Sequence, residues 1–384
     1  MIYLDANATT PPLEEVVAAM AEAAREAWGN PASLHAVGRA ARDRVERARE
    51  ALAALLERDP RDVVLTSGAT EANNLGLLRP FADPAGGTLV TSRLEHPSVV
   101  RVAEALADRG VSVVWLPVGP EGRIDPDDVG RALAGADASR ARLVAVQAVN
   151  HETGVVQPIA AIAEVAHAGG AHLHVDAVQA IGRLPASCWA GADTLAFAAH
   201  KIRGPKGVGA LASRPGLAPR PLLRGGAQER GLRPGTVDPV AAAGLEVAAR
   251  WAASGPERHA RLAALRDALA AGWGEAAARA GIALARNGGE PCAAHVLNVS
   301  VAGWAGDELA ASLDLEGVCV SAGSACAAGT PEPSPVVTAM LGVERARSAI
   351  RASLGEWSTP AEVAAAIAAF GRVVARATYD SAAS

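Results

Sequence analysis

The chain has 384 residues, half of them hydrophobic and only 3% aromatic, with 41 acidic against 36 basic side chains for a net charge of −5. That length allows two domains of roughly 100–200 residues each, and the mixed charge excludes a nucleic-acid binder, which would carry a basic face or stripe. No window reaches the ~18 consecutive apolar residues of a membrane span, and Met1-Ile2-Tyr3-Leu4-Asp5 has no basic region followed by an apolar one, so a cytoplasmic chain without a signal peptide is expected.

In chain order, helices are predicted near 13–27 and 35–57. The second carries Arg39, Arg42, Arg44, Arg47 and Arg49 interleaved with Asp43, Glu46 and Glu50, the spacing of a solvated helix face. From 60 to 212 short β-branched runs alternate with helical stretches. Strands are predicted at 63–66, 88–91, 111–116, 143–149, 172–175, 194–197 and 208–212, and helices at 98–109, 127–134 and 159–168. Such alternation predicts an α/β layered domain around a mainly parallel seven-stranded sheet between helices. An alanine-rich helix over 239–253 leads to a smaller α+β part with a strand at 296–301 and helices at 307–315, 334–341 and 360–377. The expected division is a large domain over 12–253 and a small one formed by 1–11 and 254–384.

The candidate site residues fall at strand ends. Asp176 closes the run His172–Asp176, where a parallel sheet opens its ligand crevice; as a helix N-cap it would be equally at home. Lys201 follows the strand at 194–197 and precedes a Gly-Pro turn. Burial there would favour the neutral amine that a Schiff-base lysine needs, although a solvated loop lysine is the commoner case. Thr66-Ser67-Gly68-Ala69-Thr70-Glu71 follows a strand and opens a helix, a ready anion site for a phosphate. His96 follows another strand, with Pro97 pinning the loop; an imidazole there stacks on a ring, shuttles a proton or is structural. Of four cysteines, Cys188, Cys292 and Cys319 read as small buried hydrophobes, whereas Cys326 lies in the small-residue loop Ser321–Thr330, where a thiol stays accessible. Arg351 sits alone in an apolar stretch, as an arginine gripping a carboxylate does.

Taken in order, Tyr3–Thr10, Gly29–His35, Thr66–Asn74, Glu95-His96-Pro97, Glu152-Thr153-Gly154, His174–Gln179, His200–Gly207, Arg224–Thr236, Ser321–Cys326 and Glu332-Pro333-Ser334 resemble the cysteine desulfurases of the class V aminotransferase group. The resemblance runs over nearly the whole chain and implies the fold-type I pyridoxal-phosphate architecture in a homodimer. It implies that Lys201 carries pyridoxal 5′-phosphate, that Asp176 pairs with the pyridine nitrogen and Gln179 with the ring oxygen, and that His96 stacks on the ring and moves protons. Ala69, Thr70 and His200 would hold the phosphate, with Thr236 reaching across from a second subunit. Arg351 would bind the carboxylate of L-cysteine beside Asn150, His151 would contact the cofactor, and Cys326 would carry the sulfur as a persulfide to an acceptor such as an iron–sulfur scaffold or a thiolation enzyme. Two departures stand out: His151 replaces the family's second asparagine before Glu152, and Ala198 replaces a serine three residues before the lysine. The alternatives are selenocysteine lyase or another class V enzyme, and a weakly active sulfur-pathway scaffold, the last motivated by these departures.

Overall fold

The computed structural model describes residues 1–81, 86–217, 220–323 and 332–382, with side chains to residue 376. The chain opens with a short strand β1 (Ile2–Tyr3) and the helices α1 (Glu14–Glu26) and α2 (Ala36–Leu56). Strand–helix alternation follows: β2 (Val63–Thr66), α3 (Ala69–Leu78), β3 (Gly87–Thr91), α4 (Pro97–Asp108), β4 (Ser112–Trp115), α5 (Pro126–Ala134), β5 (Ala141–Gln147), α6 (Ile159–Ala168), β6 (His172–Asp176), β7 (Thr194–Ala198) and β8 (Gly209–Ser213). The seven strands β2 to β8 form one sheet in the order β2-β8-β7-β6-β5-β3-β4, parallel except for β8, which runs against both of its neighbours. The central strands are buried and apolar because helices cover both faces. Proline at the first turn and an aspartate cap fix the start of α5, where Asp125 accepts from Asp127 N.

After the sheet come α7 (Pro239–Ala252), α8 (Gly255–Ala260) and α9 (Leu262–Arg279), then β9 (Leu284–Arg286), β10 (Val296–Val301), α10 (Gly306–Leu315), β11 (Val318–Cys319), β12 (Ser321–Ala322), α11 (Pro335–Leu341), α12 (Val343–Arg347), β13 (Ala349–Ser353) and α13 (Pro360–Ala382). The alanines of α7 let it lie close against both α1 and α2. Beyond it a four-stranded antiparallel sheet, β12-β13-β10-β9, has its own core of Leu269, Trp273, Val299, Ile350 and Phe370, where the Trp273 and Phe370 rings stack at 4.9 Å. The apolar stretch around Arg351 is thus a buried strand, pairing Asn298 with Arg351 across β10.

The first residues tie the two cores together. Ile2 and Tyr3 pair with Val318 and Cys319, Leu4 joins the second core, and Asp5 bridges to Ser353. Thr10 then bonds to the His200 carbonyl through both its N–H, at 3.0 Å, and its hydroxyl, at 2.8 Å.

Candidate active site

The carboxyl ends of β2, β5, β6 and β7 open onto a cavity of about 520 Å³, where parallel sheets bind their ligands. Its wall brings together Ala69, Thr70, His96, His151, Asp176, Gln179, His200, Lys201 and Arg351, residues drawn from segments up to 282 positions apart in sequence (69 to 351). At one end lie Ser67, Gly68, Ala69 and Thr70 at the start of α3, with Lys206 and Gly207 opposite. The first N–H groups of a helix have no acceptor within it and carry its positive dipole end. Gly68 has φ +155°, a conformation that favours glycine, and a Cβ there would meet nothing within 4 Å, so the approach to these N–H groups is open.

Lys201 leaves β7 through a single tight turn, Ala199–Lys201. Its amine donates to the carbonyls of Asn7 and Ala8, the latter at 2.8 Å. His200 faces the same cavity with Nδ1 3.1 Å from the Thr9 hydroxyl; burial above all, then Lys201 and Lys206, hold it neutral with a pKa of about 4. Ala198 also lines the wall and supplies no hydroxyl.

Asp176 is buried and oriented. Its Oδ1 accepts from Val178 N at 3.1 Å and its Oδ2 from Asn73 Nδ2 at 2.8 Å. Asn73, on α3, is the centre of a network reaching across the sheet. Its amide nitrogen also donates to Ser98 Oγ at 2.7 Å, while its oxygen meets His174 Nε2 at 2.9 Å, and His174 Nδ1 meets Thr194 Oγ1 at 2.8 Å. Burial keeps His174 neutral, at about 4. Its ring fits because residue 76 is glycine: a Cβ there would stand 2.4 Å from Nδ1.

His96 caps α4. Its Nδ1 accepts the Ser98 N–H at 3.1 Å and lies 2.8 Å from Ser98 Oγ. The next ring in the wall is His151, edge-on to His96 with centroids 5.3 Å apart. His151 Nδ1 donates to Gln147 Oε1 at 3.2 Å, and Gln147 is itself anchored through Nε2 on the Leu94 carbonyl. Burial first, then His96, Arg351 and Lys201, depress the His151 pKa well below the ordinary value. Asn150 is not on the cavity wall. Its amide donates to the Leu94 carbonyl and accepts from Glu152 N and Thr153 N, shaping the turn that presents His151.

Arg351 donates to the His151 carbonyl at 2.9 Å, to Asp5 Oδ1 at 2.6 Å and to Ser321 Oγ at 3.1 Å, while its buried Nε has no partner among the described residues. Gln179 is held between the Asn7 carbonyl, to which it donates at 3.1 Å, and the guanidinium of Arg183, from which it accepts. Arg183 also reaches the Lys201 carbonyl at 3.0 Å and the side chain of Asn7 at 2.8 Å; burial lowers its pKa to about 10. Thr236 lines neighbouring clefts of about 200 and 320 Å³ rather than this cavity. Cys326 lies outside the described residues. One foot of its loop is fixed where Ser334, capping α11, donates to Glu152, the residue after His151.

A family model for the class-V aminotransferases matches residues 2–365. A cysteine desulfurase of Cereibacter sphaeroides is 40% identical over 371 residues, spanning 94% of this chain and 92% of that protein. An IscS-like cysteine desulfurase of Mycobacterium tuberculosis is 39% identical over 387 residues, 98% of this chain and 97% of its own length. Among solved structures, a NifS-like protein matches with a TM-score of 0.88 at 31% identity, covering 98% of this chain and 99% of that one.

Proposed function

We propose that this chain, which belongs to the class-V aminotransferase family and there to the cysteine desulfurases, takes sulfur from L-cysteine, releases L-alanine and holds the sulfur as a persulfide on Cys326. The observation that carries the reading is the sharing of one cavity by the Lys201 amine, the Asp176 carboxylate and the open start of α3. Those are an amine, an anion and an anion-binding end, the set that a phosphorylated pyridine aldehyde requires. Lys201 would hold pyridoxal 5′-phosphate covalently, Asp176 its ring nitrogen, Gln179 its ring oxygen, and Ala69, Thr70 and His200 its phosphate, with Thr236 completing the phosphate site of the partner subunit in a homodimer. When bound, that cofactor supplies the electron sink that makes the substrate's Cα–H acidic.

The chain's own groups do the rest. Arg351, set in the cavity wall by the His151 carbonyl, Asp5 and Ser321, grips the substrate carboxylate. Lys201 would take the Cα proton, and Asp176, its geometry fixed by Asn73 and Val178 N, would hold a proton on the ring nitrogen of the bound cofactor. The Cys326 thiolate attacks the substrate sulfur: an S–S bond forms, the substrate's Cβ–S bond breaks, and the carbon skeleton takes up protons and departs as L-alanine. The balance is L-cysteine plus the Cys326 thiol giving L-alanine plus the Cys326 persulfide. An iron–sulfur scaffold or a thiolation enzyme in the cytoplasm then receives the sulfur. Among the described residues no helix is long and apolar enough to cross a membrane.

The test uses the full chain loaded with pyridoxal 5′-phosphate and given L-cysteine without a keto acid. Alanine should appear together with one added sulfur atom on Cys326, read by peptide mass spectrometry. A Cys326→Ala variant that still made alanine and sulfide at the full rate would refute the scheme.

A further inference from the structure

We infer that Arg183 is a positioning residue: it turns an N–H of Gln179 toward the cavity and, through that amide, holds the ring oxygen of the bound cofactor in its ionised form. The inference rests on the proposed function for the cofactor, and on hydrogen-bond geometry alone for the direction of the amide.

Arg183 stands on the turn after β6, 2% exposed. Its partners come from the first residues of the chain, from its own turn and from the turn after β7. Nη1 donates to Asn7 Oδ1 at 2.8 Å and to Gln179 Oε1, while Nη2 donates to the carbonyls of Ala6, at 3.2 Å, and Lys201, at 3.0 Å. A guanidinium only donates, so the Gln179 atom that faces it must be the oxygen. Gln179 Nε2 then gives one hydrogen to the Asn7 carbonyl at 3.1 Å, the same carbonyl that receives the Lys201 amine. Its second hydrogen is left for the cavity that Gln179 lines. With the amide reversed the cavity would meet an oxygen, and Arg183 forbids that. A fixed N–H favours the charged form of an acceptor over its protonated form.

The charge of Arg183 acts in the same direction. Every one of its hydrogen-bond partners is neutral. His295 Nε2 stands 3.0 Å from Nη1, and burial, followed by Arg183 itself, keeps that ring well below the ordinary histidine pKa. The acidic group that acts on the guanidinium is Glu356, beyond β13, which is already engaged by Arg258 at 2.8 Å and Trp251 Nε1 at 3.1 Å. The other charged or titratable groups around it are Arg351 of β13, His259 of α8 and the pair His200 and Lys201, and none is acidic. A buried cation without its own anion is costly, and uncharged amides could tie the same carbonyls. The ionised ring oxygen, reached through one polarised amide, is the anion that offsets this cost.

The test compares the full chain loaded with pyridoxal 5′-phosphate in the parent, Arg183→Met and Arg183→Lys. At a given pH one proton sits on the Lys201 nitrogen when the ring oxygen is ionised and on that oxygen when it is not. Absorbance separates the two, visible for the first and near-ultraviolet for the second. The visible form should dominate in the parent and in Arg183→Lys, and Arg183→Met should shift the ratio about tenfold toward the near-ultraviolet form. A residue that merely braced the fold would leave this ratio unmoved. An unchanged ratio in Arg183→Met, or loss of the visible form in Arg183→Lys, would overturn the inference. Proton–nitrogen NMR spectra of the cofactor-free parent labelled with ¹⁵N-glutamine test the amide without any variant at position 183. Gln179, assigned by its loss in Gln179→Met, should show two resolved amide hydrogens, one of them protected from exchange, and a freely averaging amide would also overturn the inference. A parent that took up no cofactor would refute the proposed function, and the glutamine spectra would still decide the direction of the amide.

Discussion

Replacing Arg49 by methionine tests how the loop between β8 and α7 is held. Arg49 of α2 meets Glu229 in a buried pair, with Nη1 and Nη2 each 2.6 Å from a carboxylate oxygen and the two side chains only 4% and 2% exposed. The same carboxylate accepts Leu65 N at 2.8 Å, and Arg49 also donates to the Val63 carbonyl at 3.0 Å. Glu229 and Arg230 are held at φ +47° and +59°, conformations that non-glycine residues adopt at a cost. Removing the guanidinium leaves a buried carboxylate, a loss of about 3–5 kcal/mol. The Leu65 N–H still donates to the carboxylate, which keeps the loss toward the lower end of that range. The Val63 carbonyl adds little, because Arg230 also donates to it at 2.8 Å. The expected loss is therefore about 3 kcal/mol, read from urea unfolding at pH 7 and fixed chain concentration. The double variant Arg49→Met with Glu229→Gln removes the buried charge, keeps the acceptor for Leu65 N, and should recover about 2 kcal/mol. A single variant within about 1 kcal/mol of the parent, or a double variant no better than the single, would refute this account.

Glu95 is fully buried beside Ser92, which donates to it at 2.7 Å, and burial, opposed by Ser92 and reinforced by Asp176, pushes its carboxyl up to about 8. A raised carboxyl contributes stability that is fully present below the unfolded pKa of ~4.3 and is lost as pH rises through the folded value. Glu95→Gln should therefore become increasingly more stable than the parent between about pH 4 and 8, by more than about 1 kcal/mol at the upper end. Parallel urea curves with a pH-independent difference would contradict the burial argument. Ala198→Ser restores a hydroxyl to the cavity wall and should tighten pyridoxal 5′-phosphate by about 2- to 10-fold, the effect of one neutral hydrogen bond. Titrations of the free protein with the cofactor measure it, and an unchanged affinity would mean that another donor already serves.

What the sequence made legible was position along strands. Asp176, Lys201 and the Ala69–Thr70 start of α3 stand where a strand of a parallel sheet ends, and a strand's end can be read from its apolar run. Ser98, Asn73 and His174 could not be read in the same way, since their meaning depends on partners 25 and 101 positions away that only the sheet order brings together. Asn7 and Arg183 were hidden for the same reason: one lies near the chain start and the other on a turn after β6, yet together they frame Lys201 and Gln179. Asn150 and His151 show the limit of a motif, because neighbouring positions divide the work, one shaping the turn and the other facing the cavity. The strand around Arg351 was obscured by the charged residue in its middle; burial against β10 and pairing with Asp5 make that arginine tolerable there.

The carbonyls that hold Lys201 belong to Asn7 and Ala8, and their segment is seated on β11 and β13, some 310–350 positions later in the chain. Groups made midway hold the same segment, with Gln179 and Arg183 on Asn7 and the His200 carbonyl on Thr10. The seat of Lys201 is therefore assembled in two stages, a first set of anchors from the large sheet and a second from β11 and β13. At about 5–20 residues per second on the ribosome, the second set follows Asn7 by roughly 20–70 seconds and closes the amino-terminal strand against the second core.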